Sequence, residues 1–304
     1  MIRLIPPRRA SQCRARHRLA LPLAAALLAW MPGPTGAQDA AAAGGIASLN
    51  MCTDQLLLDL VPRARIVGLS PYARDADRSW AAAKAEGLPL LSGGAEEIMV
   101  LRPSLVVGGR FGARATRAFL KARGVRVAEF DFARSIADVR GQLRAFGALT
   151  GTGDAAAERI AAIDSALERL RAVAAQRPLR VLPLARRGWV SGQETLMSDL
   201  LAQAGLVNAA GELGIGQGGF VALEAVIRLR PDAILIATDT VVPEDQGSAL
   251  LEHPALTRLF PPERRIHLPE RLTVCGGAML AEAMDHLARE IGRLSPRRDA
   301  PRAD

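Results

Sequence analysis

Apolar and polar positions along this chain change period several times, and the changes divide it. An apolar stretch, Leu19 to Met31, comes first. Beyond it, short apolar runs of strand length alternate with segments whose apolar residues recur every three or four positions, as on one face of a helix. The first run is Ile46 to Leu49, followed by a turn and a helix with Thr53 or Asp54 at its N-terminus; "ARIVGLS" is a second strand. The pattern restarts at "PLRVLPLA", another strand, followed by "GQETLMSDLLAQAG", a helix closed by Gly205. Strands alternating with helices at this spacing imply parallel sheets with crossover helices.

Between the two halves lies "GDAAAERIAAIDSALERLRAVAAQRP", Gly153 to Pro178, made almost throughout of strong helix formers. Ala156, Ile160, Ile163, Leu167, Leu170 and Ala174 recur at alternating spacings of four and three and form one apolar stripe. Asp154 can cap the start and Pro178 stops the end. A helix from Asp154 to Gln176 would be a rod of roughly 35 Å. It is too short for a sustained coiled coil and is flanked by α/β pattern, so it reads as a rigid strut between lobes. The expected organisation is a lobe over 44–152, a linking helix over 153–177 and a second lobe over 178–296.

The two halves also repeat one phrase. "EEIMVLRPSLVV" (Glu96 to Val107) and "LEAVIRLRPDAIL" (Leu223 to Leu235) each place a Glu seven residues before a Pro. Both put apolar residues five, four and two positions before that Pro, and an apolar run after it.

Charge changes the picture only once the leader is set apart. The first 37 residues carry six Arg and no acid, then the apolar stretch, then Thr35-Gly36-Ala37 as a small-residue cleavage site. This is the pattern of a secretory signal peptide. The stretch contains Pro22 and is shorter than the roughly 20 residues a membrane span needs. Cys13 precedes it, so it is not a lipid-bearing cysteine. Without the leader, the 39 basic residues fall to 33 against 31 acidic ones, a net charge of +2. So small an excess, with one Tyr in the chain, gives no support to nucleic-acid binding.

A secreted chain of two similar α/β lobes joined by one long helix resembles the metal-chelate class of periplasmic substrate-binding proteins, which serve ABC importers of cobalamin, haem and iron siderophores. "IASLNMCTDQLLLDLVPRARIVGLSPY" is similar to that family's opening and "LRPSLVVGGR" to its strand into the cleft. "GVRVAEFDFARSIADVRGQLRAFGALTG" resembles the end of its first lobe, and "VSGQETLMSDLLAQAGLVN" the opening of its second. The resemblance implies a periplasmic solute-binding protein with no cofactor of its own, which takes a metal chelate in a cleft between the lobes and delivers it to a permease dimer in the inner membrane. It also implies a role for the repeated phrase. In that family a Glu on each lobe pairs with Arg on the permease, and Glu96 and Glu224 are the matching positions, with Glu97 one register away. A Glu that merely starts a surface helix, where the macrodipole favours a carboxylate, is the simpler reading of either one alone.

Ligand contacts are expected on loops at the carboxyl ends of parallel strands: Asn50 to Thr53, Ser70 to Arg74, Gly109 to Phe111, Arg186 to Trp189 and Thr273 to Gly277. Tyr72 is the only Tyr in the chain, and in haem-binding relatives a Tyr from this region coordinates the iron. Arg110 offers a planar fork for a carboxylate or phosphate, and Trp189 a flat apolar face. Cys52 and Cys275 fall on two of these loops. An even pair in an oxidising compartment forms a disulfide; such a bridge would tie loops from opposite lobes and pin the cleft. The alternatives are two thiolates binding a soft metal or the metal of a chelate, and two unrelated thiols.

The chain departs from cobalamin binders, whose clefts carry several Trp and Phe. Only Trp80 and Trp189 with scattered Phe remain beyond the leader, and Gly109 stands where an aromatic is expected. A smaller corrinoid, haem or a ferric chelate fits at least as well. No enzyme signature is present: there is no G-x-S-x-G elbow, no H-E-x-x-H and no P-loop. "GIGQGG" (Gly214 to Gly219) lacks the preceding strand of a dinucleotide loop and reads as a flexible cleft edge leading to Phe220. His253, His267 and His286 are scattered, with no i, i+4 pair. A docking scaffold without a small ligand is the competing class.

Overall fold

The computed structural model describes residues 44–237 and 249–294; the expected leader lies outside them. The first half supplies β1 (Ile46–Ser48), β2 (Ile66–Gly68), β3 (Leu105–Gly109) and β4 (Val127–Phe130), all parallel in the order β2-β1-β3-β4. The second half supplies β5 (Arg180–Pro183), β6 (Trp189–Ser191), β7 (Val207–Asn208), β8 (Gly218–Phe220), β9 (Ala233–Ile236) and β10 (Arg265–His267). Of these, β10-β9-β5-β7 form a second parallel sheet, while β6 and β8 pair antiparallel as a separate ribbon. All three residues of β1 and all four of β9 are buried. Parallel strands covered by helices on both faces need such continuous apolar runs.

The repeated phrase is a repeated unit. Helices Ala95–Leu101 and Leu223–Leu229 each end on an Arg in the left-handed conformation, Arg102 (φ 46°) and Arg230 (φ 45°). A Pro follows each, and then a strand: β3, which pairs with β1, and β9, which pairs with β5. The echo therefore encodes the same helix, turn and strand beside the first strand of each sheet.

The linking helix runs Gly153–Ala174 and buries Ala156, Ile160, Ile163, Leu167, Leu170 and Ala174, the stripe read from the sequence, together with Ala166. It packs between helices Ile136–Thr150 and Met279–Arg293. One apolar cluster continues from Ile46, Leu57 and Phe146 through Ile163 and Leu170 to Val181, Leu200 and Leu287. The strut is thus the centre of a shared core and not a bare rod. Its ends differ from expectation. Thr152 occupies the cap position without a side-chain bond, leaving Asp154 in the first turn, where its charge faces the positive helix end. The last turn closes at Ala174, short of Gln176.

The first helix is also displaced. It spans Met51–Leu60 and its cap is Asn50, whose side-chain oxygen accepts from the backbone N–H of Cys52 at 2.9 Å and of Thr53 at 3.3 Å. Neither Thr53 nor Asp54 caps it. Both are buried, and Asp54 is committed to the neighbouring loop.

Candidate functional site

Strands β1 to β4 all point their carboxyl ends toward one region, and the residues just beyond those ends build a lined hollow. Tyr72 follows β2, Phe111 follows β3 and Phe132 follows β4; all three are exposed. Phe111 and Phe132 stack at 5.3 Å between centroids with planes 6° apart. Across the second half, Trp189 on β6 meets Phe220 on β8 edge-on at 5.0 Å. Among the described residues, five of the six exposed large aromatics lie on these loops and ribbon strands, the sixth being Phe119. Exposed rings on these loops are the chain's candidate binding surface.

Two cavities open here. The larger, of about 1170 Å³ including the solvent at its mouth, is bounded by Tyr72, Arg78, Phe111 and Thr116 among others, all in the first half. The smaller, of about 600 Å³, lies between the halves, with Arg110, Asp131 and Phe132 on one side and Leu196 and Thr273 to Gly276 on the other. Phe111 lines both. Gly109 lines both cavities without a ring of its own, and the ring of Phe111 stands two residues beyond it.

Each expected residue has a definite place. Tyr72 is 58% exposed, and its hydroxyl has no hydrogen-bond partner among the described residues. Its loop is anchored from beneath by Asp54, whose carboxylate accepts the Ser70 backbone N–H at 3.0 Å and the Ser70 hydroxyl at 2.5 Å. Burial pushes the Asp54 carboxyl above the usual range, although the Ser70 bonds oppose the shift. Arg74 fixes the far end of the same loop through the carbonyls of Ala85 and Leu88. Arg110 is paired with Asp131 at 3.1 Å, both partners exposed at the smaller cavity.

Trp189 borders neither cavity. It sits on the ribbon of the second half, where Gly218 lies under its ring: a Cβ there would come within 2.4 Å of the indole. Gly218 and Gly219 of "GIGQGG" thus belong to the strand that pairs with β6, while Gly214 to Gln217 form the loop leading into it.

Cys52 and Cys275 form a disulfide, with Cα atoms 5.3 Å apart across 223 residues of sequence. Both line the smaller cavity. The alternative of thiolates on a soft metal is corrected, because bridged sulfurs are not thiolate ligands. Among the described residues no group of three His, Cys, Asp or Glu is placed to hold a metal ion. His253 accepts from the Ala255 N–H as a helix cap, and His286 bonds the His267 carbonyl at 2.9 Å.

The repeated glutamates line neither cavity. Glu96 and Glu224 are both exposed in the first turn of their helices, with no ion pair among the described residues. Glu97, one register away, is occupied. Its carboxylate accepts from the Ser92 hydroxyl and from the backbone N–H groups of Gly93 and Gly94 at 2.8–3.0 Å. Partial burial works to raise its pKa, but these bonds together hold it below the usual carboxylate range.

A family model described as periplasmic binding protein matches residues 46–261. Among solved structures, the periplasmic heme-binding protein RhuT from Roseiflexus sp. RS-1, in apo form, is similar over 81% of this chain and 97% of its own, at 25% identity and a TM-score of 0.65. The periplasmic heme-binding protein BhuT in complex with two hemes is similar over 83% and 99%, at 24% identity and a TM-score of 0.67. A periplasmic heme-binding protein from Pseudomonas aeruginosa is similar over 83% and 94%, at 22% identity and a TM-score of 0.65. No curated protein matches the chain.

Proposed function

Because the chain belongs to the periplasmic binding protein family, we propose that it captures a metal chelate, haem before corrinoids or ferric siderophores, and delivers it to an ABC importer. The observation that carries this reading is the larger cavity, where Tyr72 and Phe111 stand together and Phe132 stacks on Phe111. A flat macrocycle needs a flat apolar wall, and Phe111 and Phe132 offer stacked faces at the rim. Ferric iron takes a phenolate as an axial ligand, and the Tyr72 hydroxyl stands at the larger cavity without a competing partner. Arg110 orients an acidic ligand edge by exchanging Asp131 for it, a swap that an exposed pair makes at low cost. Trp189 with Phe220, outside both cavities, is the second half's candidate ring pair for the far face of the chelate, and Cys52 and Cys275 contribute the apolar surface of their bridge. The three similar structures named above are described as heme-binding, and a further one as a possible iron-binding protein.

Delivery is assigned to Glu96 and Glu224, one on each repeated unit, each meeting an Arg of a two-fold permease. The chain works in the periplasm, exported by the leader read from the sequence. A thermal-shift panel of haemin, cobinamide, cobalamin and ferric siderophores tests the reading. A ligand at a hundred times its Kd stabilises the native state by about 2.7 kcal/mol, a rise in Tm of roughly 5–10 °C for a chain this size. No shift with any chelate refutes capture and favours the docking scaffold.

A further inference from the structure

Arg117 lies on the short helix Arg114–Ala122, whose other cations face solvent, yet only 6% of it is exposed. Every nitrogen of its guanidinium is engaged. Nε donates to the Glu129 carboxylate at 3.0 Å, and Nη2 to the carbonyl of Arg110 at 2.8 Å. Nη1 donates to the carbonyls of Gly109, at 2.5 Å, and Gly112. One side chain thus holds three carbonyls from four consecutive residues, the segment that leaves β3 and carries Arg110 and Phe111.

Outside the guanidinium, the segment is held by the β3–β4 ladder at Gly109, by the Arg110–Asp131 pair and by the stacking of Phe111 on Phe132. It turns through two successive left-handed residues, Gly112 (φ 85°) and Ala113 (φ 43°), and the second is a conformation that residues with a Cβ adopt reluctantly. Its remaining backbone anchor is the Arg110 N–H to the Phe130 carbonyl at 2.7 Å. The buried charge is balanced by Glu129, which is steadied in turn by Lys121 at 2.6 Å. The polarity is therefore fully committed to shaping the loop and none of it is aimed at a ligand.

We propose that Arg117 is a positioning residue, a guanidinium clasp that holds the 109–112 loop and its Phe111 ring in the ligand-ready arrangement before any chelate arrives. Only the fork geometry of an Arg meets three carbonyls and a carboxylate at once; the single ammonium of a Lys cannot. The clasp itself is a property of the empty protein, and its effect on affinity rests on the reading of the cleft as a chelate site.

The experiment therefore has two arms. In ligand-free protein, the Arg110 amide and its loop neighbours are expected to exchange hydrogen at least tenfold faster in Arg117→Gln and Arg117→Lys, with the amides of helix Gly153–Ala174 unchanged. In haemin titrations, a loop ordered about a tenth of the time raises the apparent Kd about tenfold. Because Arg117 acts through the loop that carries Arg110 and Phe111, adding R117Q to R110A/F111A is expected to weaken binding no further. A further loss in that triple variant, or R117K with undiminished loop protection and affinity, overturns the proposal. If the wild type fails to bind haemin, that failure strikes the chelate reading, and the exchange arm decides the clasp alone. If R117Q loses its thermal transition, R117K, which keeps the stem and the charge, carries both arms.

Discussion

Removing the Cys52–Cys275 bridge should loosen the protein more than any surface change. The bridge joins the first helix of the first half to the loop before the last helix, across 223 residues. On the entropic model, a cross-link over a loop of that length removes about 5 kcal/mol of freedom from the unfolded chain. For a protein of this size that corresponds to a fall in Tm of roughly 10 °C or more when the bridge is absent. The assay is a calorimetric melt of processed wild type against C52A/C275A, each with and without dithiothreitol. The expected result is a low-melting double variant indifferent to reductant, and a wild type that falls toward it when reduced. Thiol titration of the denatured wild type should find no free thiol. A double variant within about 2 °C of the wild type would refute the reasoning, because the unfolded chain would then gain almost nothing from release of the loop.

Other positions give sharper signs than sizes. Glu96→Arg with Glu224→Arg should weaken engagement of the transporter tenfold or more, measured as stimulated ATP hydrolysis, since like charges meeting across an interface cost several kcal/mol; haemin affinity should not change. Glu97→Gln should instead lower stability. The folded pKa of Glu97 is depressed, so its contribution is present above the unfolded carboxylate range and disappears as pH falls through the lowered value. Asp54 has the opposite sign: its folded pKa is raised, so its contribution is full at acid pH and is lost as pH rises through that value. Asp54→Asn should flatten that part of the stability–pH curve, followed by denaturant melts from pH 3 to 8. Leu170→Ala in the strut should cost about 2–5 kcal/mol, because the side chain is fully buried in the shared core.

The fold was legible where periodicity is long or repeated. The 4-3 stripe of the strut needs only local spacing, and the duplicated Glu-to-Pro phrase marks the same strand in each sheet. Caps were less legible, because Asn50 and Thr152 stand beside equally polar neighbours and only the backbone path chooses between them. The site was visible only in part. Tyr72 and Trp189 stood out as candidates by scarcity, whereas Phe132 is a single ring in a loop and Phe220 one at the end of a three-residue strand, with no period to announce either. The pairing of Cys52 with Cys275 depends on contacts that close only when both sheets are assembled. Arg117 reads as one more cation on an exposed helix, since its burial is created by the 109–112 loop folding over it. In "GIGQGG" the run of glycines was plain, but its use, room for the indole of Trp189, was set by a strand 29 residues away.

The measurement closest to the central claim is an absorption titration of haemin into the processed protein, alongside Tyr72→Phe. Capture in the cleft with Tyr72 on the iron predicts saturable binding, a shifted Soret band and a phenolate-to-iron charge-transfer band that the phenylalanine variant lacks. A haemin spectrum left unchanged by the wild-type protein, or a charge-transfer band that survives in Tyr72→Phe, would contradict it.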